Sequence, residues 1–175
     1  ELGSNTPGHP EYEPDHGVEI TTGPLGQGIA NAAGMAVAEA MLNEEFGDDV
    51  VRHWTYALVG DGCLMEGLGH EVISLAGHLK LGRLIFLYDS NRMTDDGATT
   101  QAISEDYMVR FACAGWHVLE CDGHDQDAID VFRMTEEIAR QEGTASIVAY
   151  WLSLLPPQRS AELQRKMAGK PRSLN

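Results

Sequence analysis

The chain has 175 residues, 43% of them apolar, and a formal net charge of −15 at neutral pH. That is one domain's length with enough apolar material for a core, and the acidity argues against nucleic acid and anionic membranes, both polyanions, as general partners. No stretch reaches the roughly 18 apolar residues of a membrane span, no signal-peptide pattern opens the chain, and Cys63, Cys113 and Cys121 have no C-x-x-C spacing. The cysteines read as buried apolar thiols of a reducing compartment, so the expected location is cytoplasmic.

In chain order, residues 1–22 are rich in Gly, Pro, Asp and Glu without periodicity and read as loop. Gly23-Pro24-Leu25-Gly26-Gln27-Gly28 then turns into a helix. Its Ile29, Ala33, Val37 and Met41, at i, i+4, i+8 and i+12, predict one buried stripe, and Gly47 marks its left-handed end. The small residues on this helix suit close packing against a neighbour, such as another subunit. Residues 56–59 read as a strand, followed by Gly60-Asp61-Gly62 and a helix expected to begin at Cys63 and to carry Glu66 one turn in, with Ile73, Ala76 and Leu79 farther along. A second strand, 84–88, runs into Asp89-Ser90-Asn91-Arg92-Met93.

Farther on, 105–114 reads as a short helix, 116–121 as a strand, 125–141 as an amphipathic helix and 145–150 as a strand. The alternation predicts an α/β fold, a parallel sheet with helices on both faces. His16, His70, His78 and His124 read as ordinary surface or packing residues.

Neighbouring strands of a parallel sheet share one rim at their carboxyl ends, where ligands bind. Asp61 and Asn91 each follow a strand, so they can meet above that rim. A carboxylate, an amide oxygen and a backbone carbonyl form a hard oxygen set for Mg²⁺, which keeps substrate phosphates in its remaining positions. Gly62 lets the backbone approach a diphosphate, and the helix start offers N–H groups and a positive dipole end.

Two rival motifs fail. Gly26-x-Gly28 resembles a dinucleotide fingerprint, but position 31 is Asn, no apolar strand precedes Gly26, and Asp61 lies far beyond the roughly 20 residues the motif needs. His70-Glu71 lacks the second His of a zinc protease, since positions 74 and 75 are Ser and Leu.

Gly60-Asp61-Gly62 followed by Asn91 resembles the fingerprint of thiamine-diphosphate enzymes. The order Thr6-Pro7-Gly8-His9-Pro10-Glu11, Thr21-Thr22-Gly23-Pro24-Leu25-Gly26-Gln27-Gly28, then Gly60 to Glu66, resembles the transketolase family specifically, over about residues 2–150. The resemblance implies a truncated thiamine-diphosphate-binding fold, with 1–150 a partial diphosphate-binding domain. It implies that Asp61, Asn91 and the Met93 carbonyl hold Mg²⁺, with Ca²⁺ as a substitute. It further implies that Asp61, Gly62 and Asn91 anchor the diphosphate and that Gly23, Pro24 and Leu25 meet the aminopyrimidine. His9 would touch cofactor and donor sugar, and Glu66 would join a carboxylate network crossing a dimer interface.

The family reaction moves a two-carbon ketol unit between sugar phosphates. The activating Glu of that reaction comes from a second domain on the partner subunit of a homodimer, and these 175 residues hold no such domain. The chain is therefore expected to supply the anchor and to be inactive alone. The alternative is a catalytically silent module that binds a partner chain or completes a split enzyme.

Two positions depart from the family pattern: Met93 replaces Ile, which is harmless to a backbone ligand, and Asp95 replaces an apolar residue. Residues 151–175 carry five Lys/Arg and one Glu, against seven Lys/Arg and 26 Asp/Glu before them. They read as a divergent basic tail, poorly ordered, with a helical turn or two around 161–167.

Overall fold

The apolar runs pair as parallel strands, and the intervening segments pack over them as helices. The computed structural model describes residues 11–94, 97–123, 135–139, 141 and 143–151. In chain order its elements are α1 (Gln27–Phe46), β1 (Thr55–Gly60), α2 (Asp61–Met65), α3 (Gly67–His78), β2 (Leu84–Asp89), β3 (Met93–Thr94), β4 (Gly97–Ala98), α4 (Tyr107–Cys113), β5 (His117–Asp122) and β6 (Ser146–Trp151). Single 3-10 turns occur at Pro14–His16 and Thr99–Gln101. Residues 135–139 and 141 are helical, the described parts of the helix expected over 125–141.

The main sheet has the order β1-β2-β6-β5, all parallel. Thr55 pairs with Leu84 and Gly60 with Asp89, so β1 and β2 end level at one rim. The short β3 and β4 form an antiparallel ribbon beyond it.

Side chains alternate across the strands, and the two faces bury different partners. Leu84, Phe86 and Tyr88 of β2 join Ile147 in one core with Ile29, Ala33 and Ala36 of α1, Val72, Ile73 and Ala76 of α3, and Phe111 of α4. Phe86 lies 4.8 Å from the Trp116 ring, and Trp116 lies 5.0 Å from Phe111. Each such pair adds about 1 kcal/mol beyond its buried area. Ile85 and Val148 are fully buried outside that cluster. Helical residues 135–139 bury Thr135 and Ala139, and Glu136 accepts a hydrogen bond from the Tyr56 hydroxyl. Helices therefore cover both faces, as expected. α4 starts where Asp106 caps it, accepting from Met108 N (3.0 Å) and Val109 N (3.2 Å), contacts that contribute about 1 kcal/mol.

Four local expectations are corrected. The stripe on α1 is Ile29, Ala32, Ala33, Ala36 and Glu39, while Met41 is 69% exposed. A spacing of four residues over-rotates by ~40° per step, so the i+12 position lies ~120° off the starting face. Gly47 has the positive φ of 78° expected, but its ψ of 169° makes it extended rather than left-handed helical. The helix after β1 starts at Asp61, not Cys63, and runs only to Met65 before Glu66 (φ −69°, ψ 144°) breaks it from α3. The cysteines are not uniformly buried: Cys113, the last residue of α4, is exposed, and Cys63 and Cys121 are half-buried.

His9, Asp95, Asp96, His124 and the tail beyond residue 151 lie outside the described residues. No helix among those described is long and apolar enough to cross a membrane.

Candidate functional site

Asp61 is the first residue of α2, set at the carboxyl end of β1 and 4% exposed. Both its oxygens are engaged from the neighbouring strand end. The Tyr88 hydroxyl donates to Oδ1 at 2.6 Å, and the Arg92 backbone N–H donates to Oδ2 at 3.0 Å. Arg92 holds a φ of 60°, unusual for a non-glycine residue, and this turn aims its N–H at Asp61. The loop carrying Asn91 thus arrives at Asp61, as its placement after β2 predicts.

The Asn91 side chain itself closes its own turn. Its Oδ1 accepts from Met93 N at 2.8 Å, and its Nδ2 donates to Asp89 Oδ2 at 3.3 Å. Met93 is 42% exposed and opens β3.

The electrostatics favour a cation. Burial raises the Asp61 pKa, the hydrogen bonds from Tyr88 and Arg92 oppose that shift, and the Asp89 carboxylate adds to it. Burial also raises Asp89, whose Oδ1 is buried without a hydrogen-bond partner. Tyr88 is pushed far up by burial and by its bond to Asp61, and Tyr107 is pushed up to about 12 by burial and the Asp61 charge. Two carboxylates, one with an orphaned oxygen, next to an amide side chain suit a hard divalent ion. Among the described residues no three His, Cys, Asp or Glu side chains converge, so such an ion would also need amide or carbonyl oxygens.

Three separated segments close on one another here. A Cβ on Gly62 would lie 3.0 Å from Leu25 Cδ1 and 3.0 Å from Thr94 Oγ1. The turn before α1 and the loop after β2 therefore both press on the first turn of α2. Gly26, with φ 82°, caps α1, and a Cβ there would lie 3.0 Å from Glu66 Cβ. Gly23, Pro24 and Leu25 stay exposed beside this junction. Glu66 is exposed in the break between α2 and α3 rather than one turn inside a helix, and α2 is too short to offer the helix-dipole site expected at Cys63.

Tyr88, Asp89, Thr94 and Tyr107 belong to this site without having been marked out by any motif. The period-2 spacing of Leu84, Phe86 and Tyr88 was the available signal for Tyr88, since it puts that hydroxyl at the rim beside the β1 end. A separate cavity of about 750 Å³ lies at the opposite, amino end of the strands, lined by residues including Glu39, Arg52, Trp54, Lys80 and Arg83.

The family model described as transketolase, thiamine diphosphate binding domain, matches residues 1–170. A transketolase of Cereibacter sphaeroides is 54% identical over 149 residues, which cover 85% of this chain and 22% of that protein. Among solved structures, transketolase from Campylobacter jejuni superposes with a TM-score of 0.72 at 41% identity, covering 86% of this chain and 23% of that one. A transketolase complex with sedoheptulose-7-phosphate from Pichia stipitis gives a TM-score of 0.72 at 39% identity, with the same coverage. The chain spans under a quarter of the length of each of these relatives. Matched by the family model over nearly its whole length, the chain belongs to the transketolase family, in the thiamine-diphosphate-binding domain.

Proposed function

We propose that this chain supplies the diphosphate and metal anchor of a transketolase that transfers a two-carbon ketol unit between sugar phosphates. The observation that carries this reading is the junction at Gly62, where Leu25 and Thr94 close to 3.0 Å on the place a Cβ would take, beside the buried carboxylate of Asp61. Asp61, Asn91 and the Met93 carbonyl would hold Mg²⁺, or Ca²⁺ in its place. Gly62 would admit the diphosphate to the backbone, and Gly23 to Leu25 would meet the ring at the other end of the cofactor. Bound thiamine diphosphate supplies the nucleophilic carbon and electron sink for breaking and making the C–C bond, and the protein supplies binding, orientation and charge.

Within this assignment His9 faces the sugar and Glu66 supports the cofactor across a subunit boundary. The sugar-phosphate substrate class follows the Pichia stipitis complex with sedoheptulose-7-phosphate. Because the chain spans 22% of its Cereibacter relative, turnover is proposed for an assembly with a second thiamine-binding domain or subunit, a homodimer in the parent enzyme, and not for this chain alone.

Calorimetric titration of thiamine diphosphate into the chain, with and without Mg²⁺, tests the anchor. The expected result is Mg²⁺-dependent heat that disappears in Asp61→Ala. Absence of heat in folded protein overturns the reading.

A further inference from the structure

We propose that Tyr88 is a positioning residue that holds the Asp61 carboxylate in the orientation a small divalent cation requires, and that α4 braces Tyr88 from behind. The inference rests on the reading of Asp61 as a cation ligand.

The geometry forms a continuous chain of contacts. Asp61 is gripped at both oxygens, by a side-chain hydroxyl at 2.6 Å and a backbone N–H at 3.0 Å, so its rotation about the Cβ–Cγ bond is restrained. A carboxylate offers about four lone-pair positions. The two contacts leave one on each oxygen for a further partner. The Tyr88 ring is 3% exposed and meets the Tyr107 ring edge-on, with centroids 6.0 Å apart and planes at 87°. Tyr107 in turn lies beneath the Arg110 guanidinium, 5.2 Å from its centroid. Arg110 donates to the Leu64 carbonyl of α2 at 3.1 Å and to Glu105 at 2.9 Å. The path that starts at Asp61, the first residue of α2, therefore returns to α2 through α4. Tyr88 would reach the cation only through Asp61, its hydroxyl sharing a further side-chain hydrogen bond with Ser90, and groups that orient a metal's ligands typically change affinity 10–100-fold when removed.

Mg²⁺ demands near-ideal octahedral geometry, whereas Ca²⁺ accepts variable coordination and bidentate carboxylates. Loss of the Tyr88 donor should therefore weaken Mg²⁺ more than Ca²⁺, while a general loosening of the fold should weaken both alike.

The test is calorimetry on the full chain, titrating Mg²⁺ or Ca²⁺ in the presence of thiamine diphosphate, for wild type, Tyr88→Phe and Tyr107→Leu. Tyr88→Phe deletes one oxygen and keeps the ring packing. The expected result is Mg²⁺ affinity reduced about tenfold, Ca²⁺ affinity reduced less than about threefold, and a smaller change of the same selectivity in Tyr107→Leu. Wild-type binding combined with unchanged Mg²⁺ affinity in Tyr88→Phe, or with equal losses for both ions, overturns the positioning role while leaving the anchor in place. No metal-dependent binding by wild type overturns the anchor itself, and the positioning role with it. Should Tyr88→Phe fail to fold, Tyr107→Leu decides the matter by the same ratio.

Discussion

Gly62 and Leu25 meet so closely that a Cβ on Gly62 would lie 3.0 Å from Leu25 Cδ1. The contact joins the turn before α1 to the first turn of α2 across 37 sequence positions, at the point where a diphosphate would approach. Gly62→Ala is therefore informative in two opposite directions. Helix propensity favours Ala by about 1 kcal/mol, while displacement of Leu25 and Thr94 by a few tenths of an ångström offsets that gain. Stability should change by less than about 1 kcal/mol. Thiamine diphosphate affinity should fall at least about tenfold, or ~1.4 kcal/mol. Thermal unfolding and calorimetry on the same preparation separate the two effects.

At the far end of the sheet, Arg83 bridges Glu39 and Asp48. Glu39 is 4% exposed and pairs with Arg83 Nη1, while Arg83 Nη2 reaches Asp48 Oδ1 at 2.7 Å. Arg83→Met should destabilise the chain by roughly 2 kcal/mol, less than a fully buried pair, because Glu39 is left buried without its cation. Denaturant titration checks this.

Asp48 gives the same network a pH dependence. Its pKa is lowered, first by the hydrogen bond from Arg83 and then by that from Asn43. A carboxyl group with a depressed folded-state pKa contributes stability above its unfolded value and loses it as pH falls through the folded value. Wild type should therefore lose slightly more stability than Asp48→Asn on acidification below the ordinary aspartate range. The contribution is small, since the pair is largely solvated. Unfolding curves at neutral and acid pH, compared between the two proteins, read it directly.

Gly77 on α3 marks the closest approach of that helix to the turn after α4. A Cβ there would overlap the Ala114 carbonyl oxygen and lie 3.2 Å from Trp116 Cδ1. The Trp116 indole N–H donates to the Ile73 carbonyl at 2.8 Å, one turn away on the same helix. Backbone cannot yield as a flexible side chain can, so Gly77→Ala should cost about 2–3 kcal/mol despite its better helix propensity. A fall in unfolding midpoint with no change in the denaturant slope would fit this local clash. An unchanged midpoint would contradict it.

The sequence by itself determined the alternation of strands and helices, the start of α4 to within two residues, and the arrival of the Asn91 loop at Asp61. These follow from local rules: apolar runs of strand length, helical spacing of apolar residues, and the shared rim of adjacent parallel strands. Tertiary structure alone decided the break at Glu66, where apolar periodicity continues across a backbone that does not. It also decided which face of α1 is buried, because a four-residue spacing drifts around the helix and only contact with α3 and β1 selects the stripe. The surroundings of Asp61 belong to the same class. Period-2 spacing puts Tyr88 at the rim, but the strand register and the left-handed Arg92 that bring both donors onto Asp61 are set only by the packed sheet. Tyr88 looked like the end of an apolar run because its ring is buried as one, and only the packed sheet places its hydroxyl against a carboxylate 27 residues away.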